Sequence, residues 1–237
     1  LQFFGALITA DMDNTDKVIR YINDCREMEI KVLPPDVNES VNDFTISHDH
    51  LLFGLGAIKN VGSAAIDSII ETREEVKRFS SFREFCGSID LRKVNRRMIE
   101  SLIKSGACDS LNQSRSTMMN DLQTAMEIGQ AKQRDRQLGQ SSMFETFEEE
   151  INAEPQDKSV EEWTDQERLC FEKESIGFYV TGHPLNSFAN DIAWFTDASS
   201  ASILENGTGK DVSIAGIPIK VSPKTTKKGD RMAIVSL

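Results

Sequence analysis

Ile58-Lys59-Asn60-Val61-Gly62-Ser63-Ala64-Ala65-Ile66-Asp67-Ser68-Ile69-Ile70 is the stretch on which the reading of the fold turns. It opens as a tight turn, passes through a glycine and enters a run with apolar residues at helical spacing. That is the shape of a helix–hairpin–helix. Backbone N–H groups at such a helix start have no partner inside the helix, and they can hold a phosphate oxygen without reading a base. Asn60 stands where such hairpins commonly carry glycine, and asparagine tolerates the left-handed conformation. Ala64 and Ala65 allow close packing, and Lys59 adds a charge-assisted contact. The same pattern also fits an ordinary helix cap with no ligand.

Downstream, Leu91-Arg92-Lys93-Val94-Asn95-Arg96-Arg97 sets four cations at another helix start. Met98, Ile99, Leu102 and Ile103 form the apolar face behind them, and Lys104-Ser105-Gly106-Ala107 is the exit turn. Cations there oppose the helix dipole, which favours an anion at the site, although a solvated basic face has the same composition. Together the two segments fit a paired hairpin module that grips both strands of a duplex. Further helices are predicted at 63–75, 81–86, 95–105, 116–133 and 163–175, with one helical turn at 191–195. Upstream, Asp11 to Asn14 caps a helix whose face is Val18, Ile19, Ile22, Cys25 and Met28. Pro34-Pro35 then ends regular structure, and residues 44–53 read as a short hairpin. From Asp211 the pattern alternates as β: Val212, Ile214, Ile217, Ile219 and Val221, then Met232, Ile234 and Leu237. The basic turn between them, with Lys224, Thr226, Lys227, Lys228 and Arg231, suits single-stranded nucleic acid, and an exposed solvated loop equally.

Residues 132–152 are polar and weakly periodic, and they predict a flexible arm. Gln140-Ser141-Ser142-Met143-Phe144 lies within it. Two large apolar side chains on an exposed linker need a pocket, either a partner's or the chain's own helices. An amide, two small spacers and adjacent Met and Phe resemble a sliding-clamp-binding peptide.

The formal charge of −11 argues against nucleic acid until its distribution is examined. Residues 51–115 carry 11 basic and 8 acidic side chains, residues 201–237 carry 6 and 3, and residues 145–174 carry 3 and 12. Polyanion contact is therefore expected only at the two basic islands. The run Glu148-Glu149-Glu150 reads as a solvated face. Cys25, Cys86, Cys108 and Cys170 are scattered, without histidines at metal-ligand spacing, which predicts reduced, buried thiols and no metal site. No apolar run approaches the length of a membrane span. The apolar start Leu1 to Ile8 looks like the middle of a buried element, no Met precedes it, and Met232 to Leu237 reads as a strand without a following partner. The chain is accordingly expected to be an excerpt of a longer protein.

Asp11-Met12-Asp13-Asn14-Thr15, Leu33-Pro34-Pro35-Asp36-Val37-Asn38, Gly56-Ala57-Ile58-Lys59-Asn60-Val61-Gly62, Asn95-Arg96-Arg97, Gly106-Ala107-Cys108-Asp109-Ser110-Leu111 and Gly177-Phe178-Tyr179-Val180-Thr181-Gly182-His183-Pro184 occur in this order. In that order they resemble the C-terminal half of the alpha subunit of bacterial DNA polymerase III, over nearly the whole chain. The resemblance implies a mainly α fold, a helical bundle with tandem helix–hairpin–helix elements, followed by the start of an all-β OB fold. It implies the end of a fingers domain at 1–45, a hairpin and clamp-binding domain at 46–131, and an arm with the clamp motif at 132–155. A helical connector at 156–205 and the OB start at 206–237 follow. It places the duplex contacts on Lys59, Asn60, Val61, Gly62, Ser63, Arg92, Lys93, Asn95, Arg96 and Arg97, and the clamp contact on Gln140 to Phe144. The implied partners are a sliding clamp, double-stranded DNA, single-stranded template and other replicase subunits, in the cytoplasm and without a membrane. The parent's catalytic carboxylates and their Mg2+ would lie upstream, so no catalytic residue and no cofactor is expected here. A nuclease using the same hairpins would need a carboxylate or His cluster that is not found, and a helical adaptor with incidental basic islands is the third reading.

Overall fold

The computed structural model describes residues 1–12, 14–47, 49–138 (backbone alone for 135–138), 160–198, 202–203, 211–218, 220–226 and 229–236. They form two compact units, Leu1–Thr181 and Gly182–Leu237. The fold is mainly α with a small β part, as the sequence predicts. The segments expected as separate fingers end and hairpin domain share the first unit, and the division falls inside the expected 156–205 connector.

Helix α1 (Gln2–Ala10) is not the buried element its composition suggests: it buries only Gly5 and Ile8, and Phe3 is 70% exposed. Its one packed face lies over Ile46 and Leu51. Helix α2 (Thr15–Glu27) starts where the Asn14 side chain accepts the Lys17 N–H, and it buries Val18, Ile22 and Cys25. Met28, expected on the same face, is 63% exposed. The helix has already ended there, because Glu29 turns left-handed (φ 60°) and Ile30 N–H bonds back to the Cys25 carbonyl at 2.8 Å.

Three short strands follow: β1 (Lys31–Leu33), β2 (Thr45–Ser47) and β3 (His50–Leu52). The expected hairpin is the antiparallel β2–β3 pair, with Ile46 opposite Leu51. β1 adds to the other edge of β3 in parallel, Val32 opposite Leu51, a pairing that no local pattern foretells. Ile8, Val18, Ile22, Phe44, Leu51 and Phe53 close this small core together with Ile176 and Phe178 from far along the chain.

A 3-10 turn (Leu55–Ala57) leads into α3 (Ser63–Val76), then α4 (Phe82–Ser88) and α5 (Arg96–Ser105), a 3-10 turn (Asp109–Leu111) and α6 (Arg115–Leu138). Their apolar faces meet in a second core around Ile66, Ile69, Phe79, Phe82, Phe85, Ile99, Leu102, Leu111 and Leu122. Each fully buried side chain of this size stabilises by about 1.5–3 kcal/mol. Helix α6 lies close along α4, since a Cβ on Gly129 would sit 2.5 Å from the Cys86 carbonyl oxygen. Arg83 and Asp121 lock the same pair through two part-buried hydrogen bonds of 2.7 and 2.9 Å. The backbone of α6 stays helical to Leu138, past the expected end near Gln133 and into the segment expected as an arm. Helix α7 (Asp165–Ser175) begins with a capping box between Thr164 and Glu167, and it packs on α5.

In the second unit a 3-10 turn (Pro184–Phe188) runs into α8 (Ala189–Phe195), and β4 (Lys220–Thr225) pairs antiparallel with β5 (Arg231–Ser236). The strand expected through Val212 and Ile214 is absent from residues 211–218. Alternation supplies a face but not the neighbouring backbone that a ladder requires. Instead of a ladder, Ser213 exchanges two hydrogen bonds with Asp197, at 2.7 and 3.2 Å.

Candidate nucleic-acid interface

Ile58 and Val61 point into the core and hold the first hairpin from below, which leaves Lys59, Asn60, Gly62 and Ser63 exposed. Asn60 takes the left-handed conformation (φ 68°) expected of it. Its side-chain amide donates to Ser101 Oγ on α5 at 3.4 Å. The Lys59 N–H donates to the Ser175 carbonyl at the end of α7, at 2.8 Å. Gly62 is the N-cap residue of α3 with φ −86° and ψ 156°, a conformation open to any residue, so backbone strain does not explain the glycine. What it does is leave the helix start bare. No side chain caps α3, whereas Asn14, Ser81, Asn95 and Thr164 cap α2, α4, α5 and α7. Ala65 and Ile66 N–H groups bond to the Gly62 carbonyl, and Ser63 and Ala64 ahead of them are exposed, as is Lys59.

The second hairpin is built differently. Lys93 and Val94 N–H groups both bond to the Asp90 carbonyl at 2.9 Å. The Asp90 carboxylate takes Arg92 in a fork, with Nε and Nη2 each at 3.0 Å, and accepts the Arg92 backbone N–H at 3.0 Å. The Arg92 hydrogen bonds hold the Asp90 carboxyl below its ordinary range and push the guanidinium up. Asn95 accepts the Met98 N–H at 3.1 Å and so closes the start of α5. Arg96 reaches Glu100 at 2.8 Å and Gln123 at 2.7 Å. Lys93 and Arg97 are exposed and, among the described residues, form no ion pair. The opposition between cations and helix dipole is therefore met from within the protein, by Asp90, Asn95 and Glu100. Sequence reasoning missed Asp90, whose signal was its place two residues before an arginine in a turn.

Gln140, Ser141, Ser142, Met143 and Phe144 lie outside the described residues, as do Lys227 and Lys228. Of the other single-strand candidates, Lys224 and Arg231 sit exposed on β4 and β5. Thr226 closes the turn, its N–H donating to the Asp230 carbonyl at 2.9 Å and its hydroxyl accepting from the Asp230 N–H at 3.1 Å.

Among the described residues no group of three or more His, Cys, Asp or Glu could hold a metal ion, and no helix is long and apolar enough to cross a membrane. Cys25, Cys86 and Cys108 are buried as expected, but Cys170 is exposed on α7. Burial pushes the Cys86 and Cys108 thiols well up, which keeps them unreactive.

A helix–hairpin–helix motif family model matches residues 29–118, which contain both hairpins. The whole chain aligns with DNA polymerase III subunit alpha of Vibrio cholerae (35% identity over 240 residues) and of Escherichia coli K12 (35% over 239). It aligns equally with that of Saccharopolyspora erythraea, at 36% identity over 245 residues. The chain spans about one fifth of the length of these relatives, 20%, 21% and 20% in turn. Along its whole length the chain is thus a homologue of one segment of the bacterial DNA polymerase III alpha subunit, with a helix–hairpin–helix motif match over residues 29–118.

Proposed function

We propose that this chain is the duplex-holding and clamp-docking segment of a bacterial replicative DNA polymerase, a DNA-directed nucleotidyltransferase of the cytoplasm. The catalytic carboxylates and their Mg2+ belong elsewhere in the parent protein. The observation that carries the reading is the uncapped, exposed start of α3, with Lys59 exposed in the turn that leads into it. A phosphate is the ligand that this arrangement suits, since backbone amides grip it whatever the base sequence. Lys93 and Arg97 extend the contact from the second hairpin to the neighbouring backbone.

Clamp docking rests on Gln140, Met143 and Phe144. Both flanks of their segment return to the hairpin body. Gln133 on α6 donates to the Ile89 carbonyl beside the second hairpin. Beyond the segment, Glu162 accepts the N–H groups of Ser116 and Trp163 at 3.3 and 2.7 Å, and the Trp163 ring packs on Phe171. A clamp held there would keep the hairpins at high effective concentration over the duplex. Lys224, Thr226, Lys227, Lys228 and Arg231 are proposed to meet single-stranded template on an OB-type β unit, and other replicase subunits would assemble through the parent polymerase.

The test is a fluorescence-anisotropy titration of the whole chain with random-sequence duplex across a salt series, paired with capture on immobilised sliding clamp. Duplex binding that weakens steeply with salt and ignores sequence is expected. Clamp capture is expected to be lost in the double variant Met143→Ala, Phe144→Ala. A chain that binds neither would support the adaptor reading, and metal-dependent cleavage of the duplex the nuclease reading.

A further inference from the structure

The segment that follows the arm, Glu172 to Thr181, lies outside residues 29–118 of the hairpin family match, yet it touches the first hairpin directly. The Lys59 N–H donates to the Ser175 carbonyl at 2.8 Å, which fixes the residue next to the left-handed Asn60. Ser175 is itself held, its hydroxyl donating to the Phe171 carbonyl at 2.7 Å.

One turn earlier sits Glu172, fully buried and met by four donors. Arg115 Nη1 donates at 3.1 Å, the Val180 and Thr181 N–H groups at 3.0 Å each, and Thr181 Oγ1 at 2.8 Å. Arg115 is also buried and forks onto Asp109 at 2.7 and 2.8 Å. A buried carboxylate is tolerated only with such partners, and removing one of them is costly. Between the two anchors, Phe178 packs on Phe53 with ring centroids 5.7 Å apart. Gly177 makes the turn at φ 109°, where a Cβ would meet Thr15 Cγ2 at 2.6 Å and lie 3.7 Å from Lys59 Nζ.

We propose that residues Glu172–Thr181 form a brace that sets the position of the Lys59 hairpin, with Glu172 and Gly177 as positioning residues for duplex binding. The inference rests on the reading of that hairpin as a phosphate grip. The hairpin's own sequence supplies its shape. The brace, packed on α5, adds to the direct Asn60–Ser101 bond in setting its place relative to α5, and so relative to the second hairpin that leads into the same helix. Two phosphate contacts bind as one only if their separation matches the duplex.

A loss of folded protein lowers apparent affinity but leaves the salt dependence alone. A displaced hairpin takes Lys59 off its phosphate, which lowers the slope of log K against log salt by about 0.9. The experiment therefore compares Gly177→Ala and Thr181→Val with wild type and Lys59→Ala, in duplex titrations of the whole chain over salt. Amide hydrogen exchange is read at Lys59 and, as a folding control, at Leu102. Thr181→Val keeps the shape and removes one donor to Glu172, and it covers the case in which Gly177→Ala fails to fold. Expected in the brace variants are at least about tenfold faster exchange at Lys59, unchanged protection at Leu102, and the reduced slope of Lys59→Ala. Adding Lys59→Ala to either brace variant is expected to lower the slope no further. A wild-type slope in both brace variants would overturn the brace while leaving the duplex reading intact. No duplex binding by wild type would overturn both.

Discussion

Both hairpins adjoin α5, the first through the Asn60–Ser101 bond and the second by leading into its start, and both fall within the helix–hairpin–helix match, but they meet the helix dipole in opposite ways. At Lys59–Ser63 the helix start is left bare, the left-handed residue is asparagine, and the glycine clears space in front of the amides. At Asp90–Arg97 the protein closes its own helix start with Asn95, forks Arg92 onto Asp90 and spans Arg96 to Glu100 and Gln123. The first hairpin offers backbone amides and one lysine. The second offers the two cations that remain, Lys93 and Arg97. A basic count over each segment singles out the second hairpin, whereas the uncapped helix start belongs to the first.

Gly62→Asp is the substitution expected to break this contrast most sharply. A Cβ there meets only Met98 Cε at 3.9 Å, so the site accepts a side chain. The new carboxylate would cap α3 and favour its dipole, raising stability by about 0.5 kcal/mol. It would also occupy the phosphate position with like charge, and duplex affinity is expected to fall on the order of fiftyfold. Stability and binding moving in opposite directions, by chemical denaturation and anisotropy, separates this from a folding defect. If affinity survives, α3 does not hold a phosphate.

Lys59→Ala is next, with an expected loss of about tenfold and a salt slope lowered by about 0.9. Arg97→Ala is expected to match it in slope. Arg92→Ala, which only breaks a fork within its own loop, is expected to leave the slope unchanged. Equal slopes for Arg92→Ala and Arg97→Ala would erase the distinction between engaged and available cations. Asn95→Ala acts on stability instead. Removing the cap of α5 costs about 1 kcal/mol by denaturation, with no change in salt slope.

What the sequence made legible was whatever depends on neighbours along the chain. The Asn60 turn, the helix starting at Ser63, the cap at Asn95 and the β2–β3 hairpin are local, and each follows from turn chemistry and periodicity. Contacts between distant segments left no such trace. The parallel partner of β3 is β1, and the Lys59 amide bonds to Ser175. Glu172 and Arg115 meet across the whole arm, and neither residue looks unusual in its own window. Apolar character misled wherever burial depends on something the window lacks. Phe3 and Met28 are exposed, and Val212 and Ile214 have no ladder. Charge was read without its partners: Arg92 and Arg96 were counted as cations at a helix start, while their acceptors Asp90 and Glu100 stood two and four residues away.

The smallest effect is also the most discriminating test of how the second hairpin is set. Asp90→Asn keeps the turn acceptors but removes the charge that forks Arg92. The wild-type carboxyl lies below its ordinary range, chiefly through the Arg92 hydrogen bond. Its contribution to stability is therefore complete above the ordinary carboxyl value and is lost only as pH falls through the lowered one. Between pH 5 and 8 this pair gives duplex binding no pH dependence, and Asp90→Asn reproduces at neutral pH what acid would do. An exposed fork of this kind is weak, so releasing Arg92 is expected to raise duplex affinity by no more than about twofold. The salt slope is expected to rise with it, because a cation drawn to its own loop becomes available to phosphate. A fall in affinity instead would mean that Asp90 serves the interface by presenting Arg92 to the duplex, and the two hairpins would then be alike in function.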